Sequence, residues 1–180
     1  MPLPMFPPGG RAVGWSRVGR GAANMAGMGL TAVDRFEIAE LLARYSAAVD
    51  DGDFAAVGAL FAGGELRDAE DRVVAAGAAA VTDLFAATTQ RHGSGTPETV
   101  HLVTNLVVEP QPDGSAVARS RFLVLQQVGS GALEPIVTGR YVDRLERDQG
   151  EWVFRSRRME PAIWGDVARH LTFDPSSIGS

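Results

Sequence analysis

The spacing of apolar residues changes once along this chain, and that change most constrains its fold. Between residues 31 and 90, apolar positions recur every three or four residues, as on the buried face of a helix. From residue 98 onward, apolar and polar positions alternate with the two-residue period of strands. Helices followed by a run of strands favour the α+β class, with helices packed on one face of a sheet.

The helical half predicts three helices. The first follows Asp34, a candidate N-cap with Glu37 three residues later, and it ends at the sequence DDGD. Asp53 then caps a short second helix with the sequence FAAVGALFA, and AAAVTDLFAATTQ forms the third. Between the second and third helices, the sequence GGELRDAEDRVVAAG contains two short extended pieces around an acidic turn.

The second half predicts four strands, at residues 98–109, 115–128, 134–147 and 151–160. The sequences QPDGS and ERDQGE are hairpin turns between them, so consecutive strands are antiparallel neighbours. A curved antiparallel sheet wrapped on about three N-terminal helices makes a cone with an apolar interior, which is a natural ligand pocket.

The ends of the chain differ from this central domain. Residues 1–30 are rich in proline and glycine and are expected to be disordered, with Met25 or Met28 as alternative starts. We therefore predict a cone domain at 31–162 and a C-terminal tail at 163–180. No apolar run approaches the roughly 20 residues of a membrane span, so a cytoplasmic protein without membrane contact is expected.

Composition excludes several classes of chemistry. The chain has no cysteine, which rules out a cysteine nucleophile and a thiolate zinc site, and all 17 basic residues are arginine, which rules out a lysine Schiff base. The three histidines lack the spacing of metal ligands, so neither a metal nor another cofactor is predicted. A net charge of −5 argues against nucleic-acid binding.

Two polar residues interrupt the apolar strand ETVHLVTNLVVE, residues 98–109. His101 and Asn105 lie four residues apart with Val103 between them, so a regular strand places all three on one face. An imidazole there is suited to general-base catalysis near neutral pH. The alternatives are a histidine whose hydrogen bonds are satisfied in the core, and an asparagine that binds backbone groups at a bulge.

Three stretches together resemble the SnoaL-like branch of the nuclear transport factor 2-like superfamily. They are IAELLARYSAAVDDGDFAAVGALFA, VHLVTNLVVE and GRYVDRLERDQGEWVFRSRR, which together span about residues 31–160. The superfamily includes polyketide cyclases, scytalone dehydratase, a dehydrochlorinase, oxygenase small subunits and non-catalytic binding domains. The resemblance implies the cone fold, but it does not select one activity.

The resemblance also implies site residues. Dehydratases of this branch use a His–Asp dyad, and by motif position these residues are His101 and Asp50. A helical wheel places Asp50 about 140° from the inward-facing Tyr45, on the flank of the helix, and it could instead only end the helix. The dehydrochlorinase also uses a lysine, which this chain lacks.

Four other residues are candidates for contact with a substrate: Tyr45, Asn105, Arg140 and Val103. Hydrogen-bond donors that would stabilise the negative charge of an enolate or leaving group are present on Tyr45, Asn105 and Arg140. Arg140 also shares strand parity with Ile136 and Thr138, so the three are expected on one face. In the alternative reading, Tyr45 packs its ring and its hydroxyl reaches water, and Arg140 pairs with Asp143 or another acidic neighbour.

Two functions follow as expectations. The first is a lyase or isomerase without a cofactor, which removes a proton from a small hydrophobic or aromatic ring compound. The second is a non-catalytic domain that binds a ligand, forms a homodimer through the sheet face, or serves as an accessory subunit of an oxygenase.

Overall fold

The computed structural model describes residues 29–174, which contain three helices and six strands. The predicted order of helices and strands is confirmed. In chain order the elements are α1 (Ala32–Asp50), α2 (Phe54–Ala59), β1 (Glu65–Arg67), β2 (Val73–Ala76), α3 (Gly77–Thr88), β3 (Thr99–Pro110), β4 (Ala116–Gln126), β5 (Glu134–Asp148) and β6 (Glu151–Trp164).

The six strands form one open sheet in the order β2-β1-β6-β5-β4-β3. The strands from β3 to β6 are antiparallel neighbours, as the hairpin turns predict. The sheet as a whole is mixed, because β1 pairs in parallel with β6. These two strands are separated by most of the domain, so no hairpin turn sets their relative direction. The long strand β3 lies at one edge of the sheet.

Helix α1 begins one turn before the predicted cap. Thr31 is the N-cap: its hydroxyl accepts from the backbone N–H of Asp34 at 3.1 Å, and the Asp34 carboxylate accepts from the Thr31 N–H at 2.7 Å. The capping box is therefore Thr31 with Asp34, and Asp34 is its third helical residue rather than its cap. Asp53 caps α2 as predicted, with its carboxylate 3.0 Å from the Ala56 backbone nitrogen.

The core lies between the helices and the concave face of the sheet. Its apolar side chains surround a fully buried ion pair, in which Arg157 donates to both carboxylate oxygens of Asp143 at 2.7 and 2.8 Å. The guanidinium of Arg157 lies 4.1 Å from the ring centroids of both Tyr45 and Tyr141. The deep interior of the cone is therefore filled, and the space that stays open lies nearer to the edge strand.

The segment after β6 contacts the rest of the domain as far as it is described, to residue 174. Strand β6 continues to Trp164, and the segment after it packs against the end of α3, where Thr89 and Leu171 form a β-bridge. Residues 1–28, which include the alternative starts Met25 and Met28, and residues 175–180 lie outside the described part of the chain. Within residues 29–174, the longest helices are too short or too polar to cross a membrane.

Candidate functional site

Asp50 and His101 meet where α1 ends beside β3. The Nδ1 atom of His101 lies 2.6 Å from Oδ1 of Asp50, and the backbone N–H of His101 donates to Oδ2 at 2.8 Å. The hydroxyl of Thr99 also donates to Oδ1, at 2.8 Å. Three donors from one strand thus converge on one carboxylate, which fixes both the carboxylate and the imidazole ring.

The local structure explains this convergence. Because β3 is an edge strand, the backbone N–H of His101 has no strand partner on its outer side, and the carboxylate of Asp50 satisfies it. Helix α1 packs alongside β3, so the flank of the helix that carries Asp50 faces the strand. Gly52 then turns the chain away from the helix at φ +68°, a conformation that suits glycine.

The electrostatics favour an ionised Asp50 and a defined tautomer of His101. Burial raises the pKa of the Asp50 carboxyl, but the hydrogen bonds and charge of His101, with the hydroxyl of Thr99, outweigh it and leave this pKa below its usual value. An ionised carboxylate only accepts, so Nδ1 of His101 carries the proton. Nε2 makes no hydrogen bond within residues 29–174, so it is the ring nitrogen available to a ligand.

A cavity of about 370 Å³ opens beside this pair, between α1 and β3. Its wall is mainly small and apolar, and Asp50 and His101 are its two titratable residues. The residues that line it are Ala39, Leu42, Ala43, Ser46, Ala47, Asp50, His101, Val103 and Leu106. Val103 therefore lies in the cavity wall together with His101.

A second depression, of about 400 Å³, lies at the turn between β3 and β4, near Asp113 and Arg147. Its charged groups are committed to neighbours: Asp113 pairs with Arg144, and Arg147 pairs with Asp34 and Glu37. Such pairs are typical of a solvated surface. The cavity beside His101 is therefore the candidate site.

Tyr45 lies in the core rather than on the cavity. Its side chain is 2% exposed, and edge-to-face ring contacts with Phe61 and Tyr141 surround it. The hydroxyl donates to the sulfur of Met159, at 4.0 Å. Burial raises the pKa of this phenol, so it stays neutral. The packing alternative for Tyr45 fits this position.

Asn105 also lies away from the cavity, because a β-bulge interrupts β3. The register with β4 shifts between Thr104 and Val107, and Asn105 takes a φ of +53° within the bulge. The two-residue alternation shifts by one position there. Asn105 is consequently exposed, and Leu106 takes the inward position. The expectation that Asn105 shares the face of His101 is wrong.

A register shift also displaces Arg140. The pairing of β4 with β5 shifts between Val124 and Leu125, where Ile136 is an extra residue on β5, so the strand parity predicted from Ile136 to Arg140 is broken. Arg140 is exposed, and its guanidinium pairs with the carboxylate of Glu160 at 2.7 Å. The alternative of a pair with a nearby acid is the arrangement found.

Sequence reasoning missed several neighbours of the site. Thr99 was identifiable, because it lies two residues before His101 on the same face of β3. Ser46 and the alanines of α1 carry no signal of their own. Sequence spacing also gave no sign that His92 and His170 lie at the same end of the cone, where burial, with the charges of His101 and His92, lowers the pKa of the His170 imidazole.

Metal ligation requires a cluster of donors. Across residues 29–174, no group of three or more His, Asp or Glu side chains is arranged to hold a metal ion. Among the residues that line the cavity, the side chains of this kind are Asp50 and His101.

The chain is similar to several solved structures. It shares 26% identity with an NTF2-like protein with a cystatin-like fold from Novosphingobium aromaticivorans, over 76% of this chain and 87% of the other, with a TM-score of 0.61. For Aln2 from a Streptomyces species, the identity is 25%, the coverage 73% and 92%, and the TM-score 0.61. For ActVI-ORFA from Streptomyces coelicolor, these values are 25%, 71% and 96%, and 0.59.

Among curated proteins, none matches this chain. The model of the SnoaL-like domain matches residues 31–158, which covers α1 through most of β6. The match includes both Asp50 and His101, along with every element that forms the cone. The chain therefore belongs to the SnoaL-like domain family.

Proposed function

We propose that this protein is a lyase or isomerase that needs no cofactor, with His101 as its general base. One observation carries the proposal: Asp50 holds Nδ1 of His101 at 2.6 Å in the wall of a cavity, which leaves Nε2 for a substrate. A carboxylate on the far nitrogen stabilises the imidazolium that forms when the base takes a proton. Asp50 is then the positioning residue of the pair.

The reaction begins with removal of a proton from carbon. Nε2 of His101 takes the proton from a carbon next to a carbonyl group, and the electron pair of the broken C–H bond forms a new C=C bond. In a dehydration, the neighbouring C–O bond breaks, and the departing hydroxyl takes the proton from His101 and leaves as water. In an isomerisation, the same proton returns to another carbon. His101 is neutral again at the end of either sequence.

The cavity wall supports a small, uncharged and largely apolar substrate. Apart from Asp50 and His101, its one polar side chain is Ser46, whose hydroxyl donates to the Leu42 carbonyl at 3.3 Å. No arginine is among the lining residues, so a phosphate or carboxylate would find no cation there. A volume of about 370 Å³ is at the lower end of the roughly 300–1,000 Å³ range of ligand pockets, as suits a cyclic compound.

Proton abstraction can be tested before the substrate is known. The protein is incubated in heavy water with a panel of cyclic ketones, including tetralone and cyclohexanone, and deuterium incorporation beside the carbonyl is followed by NMR. The wild type should catalyse the exchange, and His101→Gln should slow it by roughly 10²–10⁴-fold. His92→Gln is the matched control, because His92 does not line the cavity. Equal exchange by wild type and His101→Gln would contradict the proposal.

We also propose that the protein forms a homodimer through the outer face of its sheet. Four residues in register cross this face from β3 to β6, and we name them the outer row: Leu102, Leu123, Thr138 and Ile163. Leu102 is 42% exposed and Ile163 is 67% exposed. An apolar row at the centre of a sheet is the kind of surface that a second copy of the chain covers.

Sedimentation equilibrium tests the dimer. The wild type should sediment as a dimer, and Leu102→Glu should weaken association at least about tenfold, because the new charge would be buried. Val33→Glu, at an exposed apolar position on α1, is the control and should leave association unchanged. A wild-type protein that sediments as a monomer at micromolar concentration would exclude the dimer.

A further inference from the structure

Helix α1 holds the free edge of β3 at two points, one near each end of the helix. Asp50 accepts from the backbone N–H of His101 at 2.8 Å, and Arg35 donates to the carbonyl of Val108 at 2.7 Å. From Arg35 to Asp50 the helix rises about 22 Å, and from His101 to Val108 the strand spans about 23 Å. The helix and the edge strand therefore run side by side in opposite directions, and the cavity lies between the two contacts.

Small side chains on α1 leave this space open. Ala39, Ala43 and Ala47 recur every four residues on the flank of the helix that lines the cavity. An alanine side chain is too short to reach across a cavity of about 370 Å³, so it leaves the backbone of the edge strand uncovered. Val103 lines the same cavity from β3 and is partly buried.

The backbone N–H of Val103 points toward this free edge. Residues two apart on a strand direct their N–H groups to the same side, and His101 directs its N–H to Asp50 rather than to β4. Across the sheet Val103 is paired with Phe122, whose carbonyl accepts from the hydroxyl of Thr138 on β5 at 2.6 Å. Phe122 thus turns its polar backbone groups away from β3, so Val103 and Phe122 form a non-hydrogen-bonded pair.

The N–H of Val103 is a free donor in the cavity wall. The register of β3 is regular up to Thr104, so the β-bulge does not change the direction of this group. Within residues 29–174, the contacts from α1 to this edge go to His101 and Val108, and none goes to the N–H of Val103. Edge strands commonly leave such groups to solvent, but this one belongs to a residue that lines the cavity with the proposed base.

The proposed reaction needs a donor of this kind. Removal of a proton beside a carbonyl moves electrons onto the carbonyl oxygen, and a fixed hydrogen-bond donor stabilises that charge. The sequence offered Tyr45, Asn105 and Arg140 for this role, and all three lie away from the cavity. Ser46 is the one hydroxyl among the lining residues, and it donates to the carbonyl of Leu42. A main-chain donor is what the cavity wall provides.

We propose that the backbone N–H of Val103 binds the carbonyl oxygen of the substrate and stabilises the enolate. The inference rests on the proposed function for the role of His101 as the base. When Nε2 of His101 takes the proton, the C–H electron pair forms a C=C bond and the π pair of the carbonyl moves to its oxygen. The N–H donates to that oxygen until the carbon is reprotonated or the hydroxyl leaves, and the pair then returns to the C=O bond. Two residues of a strand span roughly 7 Å, so one cyclic molecule can contact both groups.

Amide hydrogen exchange of the full chain, followed by NMR, tests the direction of the N–H without any ligand. The amide of Val103 should exchange at least about tenfold faster than those of Leu102 and Thr104, whose N–H groups face β4. The amide of His101, which donates to Asp50, is the matched control and should exchange slowly. A Val103 amide as protected as its neighbours would overturn the proposal.

Binding of 1-naphthol tests the donor directly. This compound carries an enol-type oxygen on the ring skeleton of tetralone, and it has no proton for the base to remove from carbon beside a carbonyl. It should move the amide proton of Val103 downfield, and further than those of Leu102 and Thr104, because the N–H gains a hydrogen bond. Naphthalene, which lacks the oxygen, is the matched control and should not produce this shift. A Val103 resonance that stays in place at millimolar 1-naphthol would overturn the proposal.

Val103→Pro removes the donor. Proline lacks the N–H, and it is tolerated on an edge strand where that group does not join the ladder. The variant should slow deuterium exchange into tetralone by roughly 10²–10³-fold. Val103→Ala keeps the N–H and should retain most of the wild-type rate. Equal rates in the two variants would overturn the proposal. If Val103→Pro does not fold, the amide shift with 1-naphthol decides.

The outcome is separable from that of the proposed function. A Val103 amide that responds to 1-naphthol in a protein that catalyses no deuterium exchange would reject the lyase or isomerase and keep Val103 as an oxygen-binding donor. Deuterium exchange that depends on His101 but is unchanged in Val103→Pro would reject only the role of Val103.

Discussion

The carboxylate of Asp50 accepts from both the ring and the backbone of His101, at 2.6 Å from Nδ1 and 2.8 Å from the amide nitrogen. One side chain thereby stabilises the free edge of β3 and orients the imidazole. The same contact joins the end of α1 to the sheet. Substitutions at Asp50 are therefore expected to change both local structure and protonation, and matched variants are needed to separate the two effects.

Asp50→Asn should reduce α-carbon exchange by roughly 10²-fold while the chain stays folded. The amide has nearly the same shape, but it carries no charge to stabilise the His101 imidazolium. The rate of deuterium incorporation into the cyclic ketones measures the effect. Asp51→Asn, which changes the adjacent exposed acid, should catalyse this exchange at the wild-type rate. Equal losses in both variants would assign the effect to the end of the helix rather than to the dyad.

Thr99→Val should raise the pKa of Asp50. The hydroxyl of Thr99 donates to Oδ1 at 2.8 Å and is one of the contacts that hold this pKa down. Valine has the same shape, so the substitution removes the hydrogen bond without changing the packing. The free energy of unfolding should therefore fall by about 1 kcal/mol. A carbon-detected NMR titration of the Asp50 carboxyl measures the shift. Thr104→Val, at an exposed position of β3, should change neither quantity.

Periodicity predicted most of the fold, and it failed where strands contain bulges. The order of helices and strands follows from the change in spacing near residue 97, and Val103 and His101 share a face because no irregularity lies between them. Past the bulge at Thr104, the same alternation misplaced Asn105, and it misplaced Arg140 across the bulge at Ile136. A bulge depends on how two strands pair, and a single strand's pattern does not contain that information.

Tertiary contacts explain the other differences. The parallel pairing of β1 with β6 and the packing of His170 against α3 join residues distant in sequence, and no local pattern predicts either. Asp50 was located through the family resemblance, whereas its position on the helical wheel argued against it. The wheel assumed that only the inward face of α1 meets the sheet, but its flank meets the edge strand.

Asn105 should matter for the backbone rather than for a substrate. Its φ of +53° is tolerated by asparagine and glycine but strained for β-branched residues. Asn105→Gly should therefore leave deuterium exchange unchanged, and Asn105→Val should lower the free energy of unfolding by about 1–2 kcal/mol. Chemical denaturation measures the second effect. A loss of exchange in a fully stable Asn105→Gly would instead assign the amide to the site.

Stability should fall with acid partly because of His170. Its pKa is about 4 in the folded chain and about 6.5 when unfolded, so between these values the unfolded chain binds more protons. The neutral His170 ring therefore makes its full contribution to the free energy of unfolding above pH 6.5. This contribution is lost as the pH falls toward 4, by roughly 2 kcal/mol at pH 4.5. Denaturation curves at pH 7 and pH 4.5 give the free energy of unfolding at each pH. The difference between the two values should be smaller for His170→Gln than for the wild type. An unchanged difference would place the acid sensitivity elsewhere.

The ion pair of Asp143 with Arg157 should matter far more for stability than the exposed pair of Arg140 with Glu160. Both side chains of the first pair are completely buried, so Asp143→Leu would leave the guanidinium of Arg157 without its counter-charge among the rings of Tyr45 and Tyr141.

Removing one partner of such a pair costs about 3–5 kcal/mol, whereas exposed pairs contribute about 0–1 kcal/mol. Chemical denaturation should therefore show a loss of several kcal/mol for Asp143→Leu and a small change for Arg140→Ala. Arg140→Ala should also catalyse deuterium exchange into the ketones at the wild-type rate, since the guanidinium of Arg140 pairs with Glu160 on the sheet surface. A slower exchange in Arg140→Ala would return that arginine to the substrate-binding role that its strand parity first suggested.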